Sequence, residues 1–168
     1  MRKRQNRIAA LVALVVFSAS ASWKADAVEW RRIDSPAQGI SIDLPVDLMA
    51  LADMQPVDDQ YPLVRGGRLA LNMRPLNGRT IEAFIKQNLP EGASISYQRR
   101  KANWLAYSGY FQDDIFYGRT HLSCRGANAH SFIIRYPRSE RALYDRVVER
   151  MSLSFRVSRA FQRQNCQG

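Results

Sequence analysis

Apolar and polar residues alternate with a period of two over most of the chain, and two stretches with a period near 3.6 interrupt the alternation. Ile40, Ile42 and Leu44 alternate with Ser41 and Asp43, the mark of a half-buried strand, and Pro45 closes it. Residues 28–33 lead into that strand through a turn at 35–39. Leu69, Leu71 and Met73 alternate with Ala70 and Asn72 in a second strand. Ile81, Phe84, Ile85 and Leu89 then fall at helical spacing behind Thr80, an N-cap residue, with Pro90 and Gly92 ending the helix. Residues 94–100 resume the extended pattern. From 103 to 155 come three aromatic-rich apolar runs (103–111, 114–124, 129–137), with polar turns at 112–114 and 125–128 and then a helix. Ser139 is its expected N-cap, with Glu140 in the first turn; Leu143, Val147, Met151 and Phe155 make its inward stripe. Residues 45–67 have few periodic positions and hold Pro56, Asp58, Asp59, Pro62, Gly66 and Gly67. They read as mainly loop, with a short helical turn near 46–51. The pattern predicts an α+β fold: an antiparallel β-sheet of about six strands packed by two main helices.

The first residues carry Arg2, Lys3, Arg4 and Arg7, and residues 8–17 are an unbroken apolar run. Ala19-Ser20-Ala21 and Ala25-Asp26-Ala27 both fit the small-x-small pattern of a signal-peptidase site, so residues 1–27 read as a secretory signal cleaved after Ala21 or Ala27. The apolar run is about half the ~20 residues needed to span a bilayer. The first cysteine is Cys124, so neither site is followed by the cysteine that lipid attachment requires. This leaves residues 28–155 as a single α+β domain and 156–168 as a basic C-terminal tail. The expected location is periplasmic or secreted, with membrane contact only through the signal before cleavage.

The formal charge of +10 falls to +6 once residues 1–27 are removed, and arginine carries nearly all of it. Scattered arginine favours anionic partners or is simply a solvated surface. Export argues against nucleic acid. Cys124 and Cys166 are the only cysteines, and an even pair in an exported chain predicts one disulfide. It would close a loop of about 43 residues and pin the tail.

Few residues invite chemistry. His121 and His130 lie on consecutive strands; if Cys124 pairs with Ala129, they become diagonal neighbours, roughly 7–8 Å apart. They are weak metal candidates, since two histidines fall short of the three or four ligands usual for zinc. The reading keeps them as partly exposed strand residues and expects no metal and no cofactor. There is no Gly-x-Ser-x-Gly elbow, Walker loop or dinucleotide fingerprint, and Asp113 and Asp114 read as turn formers. Ser108-Gly109 sits mid-strand, where glycine relieves packing or marks a bulge. Most of the aromatics belong to a core, but Tyr110 and Tyr117 with Arg119 form a candidate recognition patch.

Several strings together resemble a known fold: Gly39-Ile40-Ser41-Ile42-Asp43-Leu44-Pro45, residues 104–109 ahead of an aspartate turn, Ile115-Phe116-Tyr117 with Arg119, Tyr136-Pro137, and a terminal helix ending in Ser154-Phe155. They resemble uncharacterised exported bacterial domains similar in outline to the PsbP/Mog1-like fold, an α/β/α sandwich around an antiparallel sheet. The resemblance implies a small binding or assembly module, and it carries over no functional residue. The resulting expectation is a non-enzymatic accessory or protein-interaction module of the bacterial cell envelope, its partner an envelope protein or an anionic envelope component. The alternative is a periplasmic binder of a small ligand or anionic glycan, using a pocket between the sheet and the 45–67 loop.

Overall fold

The computed structural model describes residues 28–48, 60–62 and 68–166. Strands β1 (Trp30–Ser35) and β2 (Ile40–Pro45) form a hairpin whose turn closes on Gly39, at φ +65°. A third short strand on its other side makes a three-stranded sheet. The larger sheet has six strands: β3 (Gln60–Pro62), β4 (Arg68–Pro75), β5 (Ser94–Lys101), β6 (Trp104–Phe111), β7 (Asp114–Ser123) and β8 (Asn128–Pro137), ordered β3-β4-β8-β7-β6-β5. All of its pairings are antiparallel. After β4 the chain makes helix α1 (Ile81–Asn88), starts again at the far edge with β5, and meanders back until β8 meets β4.

Both faces of the large sheet are covered, which is why its central strands bury residues of both parities. On one face α1 packs Ile81, Phe84 and Ile85 on Leu105, Tyr107, Phe116 and Ala129. Over the other lie helix α2 (Arg141–Ser154) and β2. Their Tyr144, Val147, Met151, Ile42 and Leu44 join Leu69, Phe132, Ile134 and Tyr136, with Phe155 just past the helix. The predicted sandwich of about six strands and two main helices is the observed one, with a second small sheet added.

The structure moves four details. Residues 138–140 form a 3₁₀ turn and α2 begins at Arg141 behind Glu140, so Ser139 is not its cap. The segment expected as a basic tail adds to the fold through β9 (Arg156–Val157), which pairs with β2, and helix α3 (Arg159–Asn165), capped by Ser158. Phe161 of α3 is buried over Gly39, and Cys166 is bonded to Cys124, as the cysteine count predicted. The 45–67 segment contains β3; its residues 49–59 and 63–67 lie outside the described residues, as does the leader at 1–27. Asp114 opens β7 and pairs with Arg135 at 2.9 Å instead of shaping the turn, where Gln112 takes the positive φ.

Gly109 supports the packing reading of Ser108-Gly109. A Cβ there would run into the Ser94 carbonyl oxygen across the β5–β6 pair and into the Phe116 ring. Gly109→Ala is therefore expected to destabilise the fold by about 1–2 kcal/mol, measured by chemical denaturation, with loss of amide protection concentrated in β5. Unchanged stability would mean that the edge strand gives way freely.

Candidate functional site

The period of two in β6 sends Leu105, Tyr107, Gly109 and Phe111 toward α1 and Trp104, Ala106, Ser108 and Tyr110 toward the α2 side. Cross-strand pairing then fixes rows on that second face. Lys101, Trp104 and His121 form one row; Arg99, Ala106 and Arg119 form the next; Tyr97, Ser108 and Tyr117 form a third. Helix α2 packs over β7, β8 and β2 and leaves β5 open. Every residue of β5 is exposed, Tyr97 at 50 %, and Tyr110 on β6 is 38 % exposed.

Arg119 sits where covered sheet meets open sheet. Its guanidinium lies on the Trp104 ring at 4.3 Å, a cation–π contact that fixes its plane. Its Nη1 donates to the carbonyl oxygen and to Oγ of Ser152 on α2, at 2.8 and 2.9 Å, and its Nε donates to Nε2 of His121 at 3.0 Å. Tyr117 donates from its hydroxyl to the same Ser152 Oγ at 2.8 Å. Burial pulls the Arg119 pKa below its ordinary value, and Arg156 and Arg99 push the same way, although a guanidinium remains a cation at neutral pH. Burial raises Tyr117. Tyr110 and Tyr117 also line a shallow cleft of about 130 Å³ against α2, together with Ser96, Tyr136, Arg141 and Asp145. Arg138 stacks over Tyr110 at 4.3 Å.

The three residues of the expected patch thus share one face. Tyr110 and Tyr117 meet at the cleft, and Tyr117 and Arg119 meet at Ser152. Sequence reasoning missed Tyr97, Arg99, Trp104, Ser152 and Arg156. Trp104 was legible, being in phase with Tyr110 along β6. Arg99 and Arg156 come from remote segments, and no local pattern links them to Arg119.

The histidines are placed differently from the expectation. His121 pairs directly with His130, and Ser123 with Asn128, because the 3₁₀ turn Cys124–Gly126 shifts the register. His130 is fully buried rather than partly exposed. Its Nδ1 donates to the Gln38 carbonyl oxygen at 2.8 Å, which leaves Nε2 to accept the Ser123 hydroxyl at 2.7 Å. Phe161 meets its ring edge-on at 5.2 Å. His121 lies edge-on to Phe155 at 5.3 Å, and burial with the nearby Arg119 and Arg156 brings its pKa down to about 4. Both imidazoles are neutral packing groups whose lone pairs are engaged within the fold. A larger cavity, about 440 Å³, opens on the opposite face at the end of α1, lined by Leu89, Pro90, Phe111, Phe116, Ile133 and Arg135 among others.

No protein-family model and no curated protein sequence matches the chain. Solved structures do. The Ran-binding protein Mog1p of Saccharomyces cerevisiae superposes with a TM-score of 0.55 at 8 % identity, over 81 % of this chain and 100 % of that one. The PsbP protein of the cyanobacterium Synechocystis sp. PCC 6803 (CyanoP) gives 0.53 at 12 % identity, over 80 % of this chain and 95 % of that one. The chain is similar to both in fold, a Mog1/PsbP-like α+β sandwich, and identities this low carry the fold alone.

Proposed function

We propose that the chain is an exported, non-enzymatic protein-interaction module of the cell envelope that receives its partner on the open face of β5 and β6. One observation carries the reading: Tyr97, Tyr110, Trp104 and Arg119 line a sheet face that α2 stops short of covering, next to a cleft too small for a substrate-sized molecule. Aromatic residues and arginine are the groups that dominate binding at protein interfaces. Three further points support it. The similar Mog1p is a Ran-binding protein, the disulfide suits an oxidising compartment, and the N-terminal sequence has the form of an export signal. On this reading the partner is an envelope protein, nucleic acid is not a target, and the membrane is met only through the leader.

The test is a photoreactive amino acid placed at Tyr97 or Tyr110 in intact cells, with Lys86 and Gln87 on α1 as controls. A discrete protein adduct from the first pair and none from the second is the expected result. Adducts from neither pair, or equally from both, would remove the docking face. Tyr110→Ala is expected to weaken capture of that adducted protein about tenfold, read by titrating the purified pair.

A second reading, a small-ligand or anionic-glycan binder, draws on the 440 Å³ cavity, whose size lies within the range of ligand sites. It predicts thermal stabilisation by a soluble anionic sugar that disappears in Arg135→Gln.

A further inference from the structure

We infer that the docking face reads an acidic side chain of its partner, an Asp or Glu carboxylate held between Arg99 and Arg119; this rests on the docking reading above. The two arginines occupy one cross-strand row with only Ala106 between them. Ala106 is itself buried and so presents no bulk of its own at the surface between the two arginines. Arg156, on β9 beside β7, adds a third positive charge close enough to act on Arg119.

Among the described residues no carboxylate balances these cations. The ion pairs of Asp43, Glu82, Asp114 and Asp145 go to Arg32 and Arg150, Arg100, Arg135 and Arg141 respectively. Arg119 is also oriented in advance. Trp104 holds its plane, and Ser152 and His121 take Nη1 and Nε, which leaves Nη2 outside that network. A partner carboxylate would supply the missing anion, and a fixed guanidinium loses little freedom on binding it. A protein carboxylate fits better than a lipid headgroup because the same face presents Tyr97 and Tyr110 beside the exposed edge of β5. An extended acidic segment can lie along that edge with alternate side chains turned onto the face.

The experiment titrates the full chain, as the cell processes it, with a fluorescent peptide alternating Asp and Tyr and with its Asn counterpart. Vesicles of phosphatidylglycerol and of phosphatidylcholine form a separate arm. The Asp peptide is expected to bind about tenfold or more tightly than the Asn peptide. Arg99→Gln and Arg119→Lys are each expected to erase most of that difference, the binding weakening as salt rises. Arg99 lies on the exposed edge strand, so its variant reports even if changes at Arg119 disturb the contact with α2. Equal binding of the two peptides overturns the inference, as does a peptide preference that survives Arg99→Gln. Arginine-dependent binding to the phosphatidylglycerol vesicles alone would assign the face to lipid and overturn it as well. Should Tyr110 still crosslink to a protein while the two peptides bind alike, carboxylate recognition fails and the docking reading stands. With no crosslink, a preference for the Asp peptide that depends on Arg99 still upholds the carboxylate site.

Discussion

Replacing Cys124 and Cys166 together by alanine is expected to lower the free energy of unfolding by about 4 kcal/mol, the loop-closure value for a bridge spanning 42 positions. The loss should be partly local. The bridge ties the end of α3 to the turn between β7 and β8, and α3 holds only Phe161 as a buried anchor. A helix of seven residues is not stable on its own. Without the bridge, α3 should leave its site while β9 remains paired to β2 through Ile40 and Ser41. Phe161 then uncovers Gly39 and the buried His130 ring. Chemical denaturation with and without reductant measures the global change, and hydrogen exchange at the Gln162 amide, which donates to the Ser158 carbonyl at 3.1 Å within α3, reports the local one. A loss under about 1 kcal/mol, or α3 amides that stay protected, would show that the packing of Phe161 suffices by itself.

That helix also shows where the sequence stopped being informative. The strands were legible because their burial is periodic: Ile40, Ile42 and Leu44 alternate in the sequence and are all buried in the fold. Helix α1 was legible from Thr80, whose Oγ1 does accept from the Ala83 amide, and from the Phe84–Ile85 stripe. Residues 156–166 hold one large apolar group in a basic stretch, too few for periodicity. Their order depends on a two-residue strand pairing, a disulfide and one aromatic slot, all of them tertiary. The register of β7 with β8 failed for a related reason. It is set by a 3₁₀ turn in which Cys124 and Arg125 adopt positive φ, a conformation that neither residue type advertises. Of the site, Tyr110, Tyr117 and Arg119 could be named because they stand on adjacent predicted strands. Arg99 and Arg156 could not, since their convergence on Arg119 depends on which strand forms the sheet edge and on where the chain returns after α2.

Burial of the two histidines, reinforced at His121 by the same convergence of positive charge, makes stability depend on pH. His121 is neutral in the folded chain. Its pKa is lowered from 6.5 to about 4 by burial first and then by Arg119, Arg156 and His130, and no carboxylate faces it among the described residues. His130 is lowered too, by burial, against the opposing bond to Gln38. As pH falls below 6.5 the unfolded chain takes up protons that the folded chain refuses, so stability is fully present above about 6.5 and is lost toward 4. The contribution of His121 is roughly 2–3 kcal/mol once discounted for the solvent its ring still reaches, and His130 adds in the same direction. The structural cause is specific: a protonated Nε2 cannot accept the Arg119 Nε–H bond and would instead set two cations against each other. His121→Gln offers that bond an amide oxygen that does not titrate. Its stability, followed by thermal unfolding between pH 7 and pH 4, is expected to fall less steeply than that of the parent chain. Because carboxylates titrate alike in both proteins, the difference between the two curves isolates the imidazole. Parallel curves would mean that His121 is protonated in the folded state without strain, and that Arg119 finds its orientation from Trp104 and Ser152 alone.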